Sequence, residues 1–235
     1  MKVALFIKTY RQDFVWLKYC LASIKKYCTG YEEVVIVCPR GDVGELTTFA
    51  TNGERIVPVD EYGEGYLYQQ MIKMNAHNFT NCDWIQYFDS DCIFHSPNSP
   101  DMYFEEGKPV MLKTLYEKID KNTRMWQSVV AKAIKIVPEF EYMRRHGLIY
   151  HRETLMNIQT KFPKMNDHIM TRPARHFSEF NVMGAFAEHF EPERYIWKDT
   201  ETTPFKHGTF HQFWSYSGCT EEEKQRMEKM LNGEQ

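Results

Sequence analysis

Asp89 and Asp91 stand one residue apart at the end of an apolar, aromatic run, Trp84-Ile85-Gln86-Tyr87-Phe88, and aliphatic residues resume at Cys92-Ile93-Phe94 before His95. The run has the pattern of a buried strand. Extended backbone would put the two aspartates on the same side of the chain. Two carboxylates so placed can hold a hard divalent ion, Mg²⁺ or Mn²⁺, with positions left open for phosphate oxygens. Charge at the mouth of a core strand is costly unless something pairs with it. A lone Asp-x-Asp more often marks an ordinary acidic turn; the strand before it and the pattern upstream favour the ion site here.

The elements that must position this pair are legible upstream. Lys2 to Lys8 encloses five consecutive apolar residues, the pattern of a buried parallel strand, and ends in the polar loop Thr9-Tyr10-Arg11-Gln12-Asp13. Phe14, Leu17, Leu21 and Ile24 predict a helix over Phe14 to Tyr27. Val34 to Cys38 is a second strand, and Asp42 can cap a helix from Val43 to Ala50. Arg55 to Val59 is a third strand, placed near a sheet edge by Pro58. A helix from Tyr66 to His77 leads to the strand that ends at Asp89. This alternation predicts an α/β fold with a mainly parallel central sheet and helices on its faces. Ligands bind such sheets at the carboxyl ends of strands, so Thr9-Tyr10 and Asp89-Ser90-Asp91 can share a crevice.

The later chain is less regular. Val110-Met111-Leu112, Leu148-Ile149-Tyr150 and Tyr195-Ile196-Trp197 read as strands. Helices are expected over Asn122–Val137, Glu153–Thr160, Glu179–Phe190 with Ser178 as N-cap, and Thr220–Leu231. His207 to Tyr216 is a polar-aromatic segment.

Composition narrows the class. The 235 residues, 43% hydrophobic and 26% charged, are those of a soluble globular protein. No apolar stretch approaches the ~18 residues of a transmembrane helix, and Val3-Ala4-Leu5-Phe6-Ile7 is too short for a signal-peptide core. Six cysteines without a C-x-x-C pair fit thiols in a reducing cytosol. No G-x-G-x-x-G, G-x-x-x-x-G-K-[ST] or G-x-S-x-G motif occurs, which argues against dinucleotide oxidoreductases, P-loop kinases and α/β-hydrolases. Net charge is −3, yet Lys108 to His176 carries 14 Lys+Arg against 6 Asp+Glu. That excess is either a solvated surface or a face for an anionic partner.

Four motifs in order carry a resemblance: Lys8-Thr9-Tyr10 with Asp13, Gln69-Gln70 with Lys73, Asp89-Ser90-Asp91, and Ser178-Glu179-Phe180 with Gly184. With these the chain resembles glycosyltransferases of the GT-A fold, in particular small bacterial and phage glycosyltransferase-like proteins, from Lys2 to about Tyr216. The resemblance implies a GT-A-like, Rossmann-type single domain. Residues 1–107 would bind a nucleotide sugar, 108–219 an acceptor, and 220–235 would form a C-terminal helix and tail. It implies a nucleoside-diphosphate sugar as donor and Mn²⁺ or Mg²⁺ as cofactor. Asp91 would bind the metal, and Asp89 the metal or the donor. His207 and His211 are both placed to be the late histidine ligand that many such enzymes supply, although either can equally be a hydrogen-bonded histidine. Thr9, Tyr10 and Asp13 would line the nucleoside site, and Gln70 and Lys73 would reach the donor.

Glu179, at a helix start where the dipole stabilises its carboxylate, would be the general base of an inverting transfer, or a helix-capping carboxylate. The acceptor would be hydroxymethylated bases of phage DNA or an anionic cell-surface glycan or lipid-linked sugar. Arg124, Arg144, Arg145, Arg172 and Arg175, with Lys161 and Lys164, are candidate phosphate contacts, and Trp126 and Tyr142 candidate stacking partners. The setting expected is the cytoplasm of a bacterium or phage-infected cell. A nucleotidyltransferase is disfavoured because the loop after the first strand has no glycine. A non-catalytic nucleotide-sugar-binding module would be favoured by loss of either aspartate, and both are present.

Overall fold

Five apolar residues in a row cannot alternate between core and water, so the first strand is buried along its whole length. In the computed structural model this strand, β1 (Val3–Lys8), is the first of eleven described strands. The structure describes all residues except 123, 145–147, 204–207, 216–217 and 234–235. In chain order there follow α1 (Phe14–Tyr27), β2 (Glu33–Pro39), α2 (Val43–Leu46), β3 (Arg55–Val59), α3 (Gly65–Met74), β4 (Trp84–Asp89) and β5 (Cys92–Phe94). Next come β6 (Phe104–Glu105), β7 (Lys108–Leu115), α4 (Met125–Ile134), β8 (Phe140–Glu141), β9 (Ile149–His151), α5 (Arg152–Lys161) and α6 (Met165–Met170). The chain closes with α7 (Glu179–Phe190), β10 (Ile196–Asp199), β11 (Phe210–Gln212) and α8 (Glu221–Asn232). It is a mixed α/β protein with a mostly parallel central sheet and flanking helices.

The chain divides into two units that are not consecutive stretches. The first comprises Lys2–Asp60, Tyr87–Met102 and His207–Gln235, and the second Glu61–Gln86 and Tyr103–Lys206 together with Met1. The expected boundary near residue 107 does not describe this division. Strand β4 begins in the second unit and ends in the first, and the chain from 207 onward returns to the first.

In the first unit β1, β2 and β3 are parallel, in the order β3-β2-β1-β4. Pro58 lies on β3, at the sheet edge, where its missing N–H is tolerated. Phe14, Leu17, Leu21 and Ile24 of α1 are buried with Leu5, Ile7, Ile36 and Phe88 in one core. Strand β5 pairs antiparallel with β11, and α8, held at its start by a Thr220–Glu223 capping box, buries Met227 in the same core. In the second unit β7 pairs with β10 in parallel and with β6 and β8 antiparallel, and Trp84–Gln86 of β4 pair antiparallel with β9.

Several expected helices are shorter. The segment after Asp42 is helical only to Leu46, and Asp42 accepts the backbone N–H of Arg11 at 2.8 Å instead of capping its own helix. The helix expected over 122–137 runs from Met125 to Ile134, ended by the left-handed backbone of Lys135. Helix α3 stops at Met74 and passes into a 3₁₀ turn over Ala76–Asn78. Helix α6 was not anticipated: it is six residues long, too short for a periodic apolar signal.

Candidate functional site

In the first unit, β1 ends at Lys8, whose buried ammonium donates to the Thr9 carbonyl at 2.8 Å. The Thr9 N–H donates to the Val37 carbonyl at 3.0 Å, extending the β1–β2 ladder by one residue. Thr9 is buried and its hydroxyl has no hydrogen-bond partner. The chain then turns through a 3₁₀ segment, Arg11–Asp13, that brings Asp13 to the start of α1. The Ser90 hydroxyl donates to Asp13 at 3.1 Å, which ties this loop to the end of β4.

Asp89 and Asp91 are not on one extended strand. Ser90 and Asp91 form a turn between β4 and β5, which belong to different sheets, so strand alternation does not carry through to Asp91. The turn still leaves the two carboxylates close enough to act on one another. The Gln212 amide approaches Asp89 at 3.4 Å and Asp91 at 3.5 Å. The Ser215 N–H donates to Asp91 at 3.0 Å, and the Phe213 N–H donates to the Asp91 carbonyl at 2.8 Å.

The electrostatics of this cluster are those of crowded negative charge. Burial, with the charges of Asp89 and Asp13 added, pushes the Asp91 carboxyl up to about 7. Asp13 is likewise raised, first by burial and then by Asp89, against lowering by hydrogen bonds from Ser90 and Ser215 and by the charge of Lys8. Tyr10 is 40% exposed at the edge of the cluster, and its phenol is raised by burial and by Asp13.

On β11 the side chain that reaches the carboxylates is Gln212. Side chains alternate along a strand, so His211 points the other way, and its ring lies 4.8 Å from that of Phe213, two residues on. His207 lies outside the described residues. Gln212 and Ser215 were not foreseen; only an ordered pairing of β5 with β11 shows them.

In the second unit, Lys73 of α3 and Glu179 at the first turn of α7 form a buried ion pair at 3.1 Å. The Lys73 ammonium also sits 4.8 Å from the Phe180 ring centre. Gln70 is buried on the same helix, and its amide oxygen has no hydrogen-bond partner. Tyr66, not among the expected site residues, is half-buried, its phenol raised by burial and by the Glu179 charge. Ser178 holds the N-cap position of α7 without capping it: its hydroxyl accepts from the Asn181 amide at 2.9 Å. Gly184 is required where α7 meets Tyr142, since a Cβ there would fall 2.4 Å from Tyr142 carbons.

The arginines separate by their bonds. Arg144 pairs with the buried carboxylate of Glu141, and Arg124 donates to the carbonyls of Ile119 and Glu117, so both hold their own loops. Tyr142 is buried, with its hydroxyl donating to Glu188, and is no exposed stacking platform. Trp126 is half-buried, Lys161 lies over the Phe190 ring, and Lys164 is exposed. Arg175 is exposed, Arg172 is half-buried, and Arg145 lies outside the described residues.

Asp89 and Asp91 suit a hard divalent ion in one respect: their donors are carboxylate oxygens whose mutual repulsion a cation would relieve. They do not make a closed cage. Among the described residues no group of three or more His, Cys, Asp or Glu is arranged to hold a metal. Two carboxylates with open positions are what an ion shared with a phosphate substrate needs. Neither a protein-family model nor a curated protein matches the chain. The class that fold and site define is therefore coarse: an α/β protein with a mostly parallel sheet and an acidic cluster beyond the ends of β1 and β4. No helix among the described residues is long and apolar enough to cross a membrane.

Proposed function

We propose that the protein is a glycosyltransferase of GT-A type that moves a sugar from a nucleoside-diphosphate donor to a hydroxyl acceptor. The supporting observation is the gathering of Asp13, Asp89 and Asp91 beyond the strand ends, where burial and like charge raise the carboxyls of Asp13 and Asp91. In this reading Asp89 and Asp91 hold Mn²⁺ or Mg²⁺, which supplies positive charge for the departing diphosphate. Gln212 and the Ser215 N–H orient the two carboxylates. The half-exposed Tyr10 ring offers a face for a nucleobase.

The acceptor oxygen bonds to the anomeric carbon, the bond from that carbon to the diphosphate breaks, and the acceptor proton passes to solvent water. The cationic stretch from Lys108 to His176 supports an anionic acceptor, either hydroxymethylated DNA or a charged glycan.

The test is release and transfer of labelled sugar from a panel of nucleoside-diphosphate sugars, with Mn²⁺, Mg²⁺ or EDTA. Turnover should need metal and vanish in Asp91→Ala. Label on hydroxymethylated DNA would identify that acceptor, and turnover that ignores DNA would point to a glycan. Absence of turnover and of metal-dependent nucleotide binding would reject the transferase.

A further inference from the structure

A separate cavity of about 360 Å³ opens in the second unit, lined by α4, the end of α6 and the connection that follows it. Its volume falls at the low end for small-molecule sites. Met125, Ser128, Val129 and Lys132 line it from α4 at the i, i+3, i+4, i+7 spacing of one helix face. His168 and Arg172, four residues apart, line it from the other side with Pro173 and His176.

The polar lining is cationic or neutral, and no carboxylate is among the lining residues. Behind the lining, Nε2 of His168 and Nε of Arg172 are buried with no hydrogen-bond partner. Buried polar atoms normally find partners, and each that does not calls for an explanation. The charges acting on His168 are those of Arg172 and Lys135, both positive, and with burial they lower its imidazole below the ordinary value. Positive groups facing one another around a cavity repel, and an anion between them would relieve this. Met125, Val129 and Pro173 add an apolar wall, which a bare inorganic anion would not use.

We propose that this cavity binds a small organic phosphate, its phosphate oxygens facing Lys132, His168, Arg172 and His176 and its carbon skeleton lying along Met125, Val129 and Pro173. The site stands independently of the transferase assignment. Arg172 enters it as one of a set of four groups around a formed cavity.

The experiment is a titration of the full chain with inorganic phosphate, glucose 6-phosphate, neutral glucose and a short single-stranded oligonucleotide. Binding is followed by calorimetry and by the imidazole resonances of His168 and His176. Glucose 6-phosphate should bind, move both imidazoles, and bind more tightly than inorganic phosphate, while glucose does neither. Arg172→Gln and Lys132→Gln should each weaken it by about tenfold or more, the worth of a charge-assisted hydrogen bond, with the rest of the spectrum unchanged. The proposal is overturned if millimolar glucose 6-phosphate leaves the imidazoles unmoved, or if both variants bind it as wild type does. It is overturned equally if inorganic phosphate binds as tightly as the ester, or if the oligonucleotide binds more tightly through the same residues, which would make the cavity part of a polynucleotide surface. A failed transferase assay would leave each of these outcomes readable.

Discussion

Asp91 is a residue that the fold holds at a cost. Its carboxyl is raised to about 7 from an ordinary 3.8, so between those values the folded chain keeps a proton that the unfolded chain has lost. Stability of the metal-free protein should therefore fall as pH rises from about 4 to 7. Asp91→Asn removes the titration; it should flatten that slope and raise the melting temperature at pH 8. Melting curves in EDTA across this range check the expectation, and an unchanged slope would mean that Asp91 is ionised throughout. The Lys73–Glu179 pair makes the opposite prediction. Lys73→Met would leave a carboxylate in a buried site without its cation, at a cost of about 3–5 kcal/mol. The double variant Lys73→Met/Glu179→Leu should recover much of it, measured by urea denaturation. No recovery would indicate that the two side chains do not act as a pair.

At the scale of elements, α7 is positioned by polar bonds and by one absent side chain. Asn181 donates to Ser178 and Glu141 and accepts from the Tyr142 N–H at 2.9 Å, which locks the helix start to the strand β8. Gly184, one turn on, is open enough for Tyr142 to lie against the helix backbone. Gly184→Ala raises helix propensity and would stabilise an isolated helix. In this chain it should instead destabilise by about 1–3 kcal/mol, because the new methyl overlaps the Tyr142 ring base. Gly184→Ala made in wild type and in a Tyr142→Gly background decides the cause: its cost in denaturation midpoint should be smaller in the second, which lacks both the Cβ and the ring. The motif Ser178-Glu179-Phe180 with Gly184 thus has a packing reason for its serine and glycine, apart from any chemistry of its glutamate.

For the molecule as a whole, a ligand that binds only the folded state raises stability, by about 2.7 kcal/mol at a hundred times its dissociation constant. Mn²⁺ held by Asp89 and Asp91 should raise the melting temperature of the wild type and leave that of Asp89→Asn/Asp91→Asn unchanged. An equal rise in both would place the ion elsewhere. A core truncation in β4, such as Ile85→Ala, should lower the midpoint of unfolding, at a cost of about 2–5 kcal/mol, measured by urea denaturation.

Local pattern was enough for some of this. Consecutive apolar residues made β1 and β2 recognisable because a strand buried on both faces has no alternation to hide, and the 3.6-residue spacing of Phe14, Leu17, Leu21 and Ile24 marked α1 for the same reason. Pro58 placed β3 at an edge because it cannot donate to a ladder. Asp89 and Asp91 were legible as a pair, since charge interrupting a core strand is conspicuous. Their geometry was not, because whether Asp-Ser-Asp extends or turns depends on what β5 pairs with, and its partner β11 lies more than a hundred residues away. The same distance hid Gln212 and Ser215 and gave His211 an orientation that residue type alone could not reveal. Sequence spacing determined which residues are helical, buried or charged. Only the tertiary structure decided that Arg144 and Arg124 serve their own loops while Arg172 faces a cavity, because a guanidinium is committed by the partners that the fold brings to it.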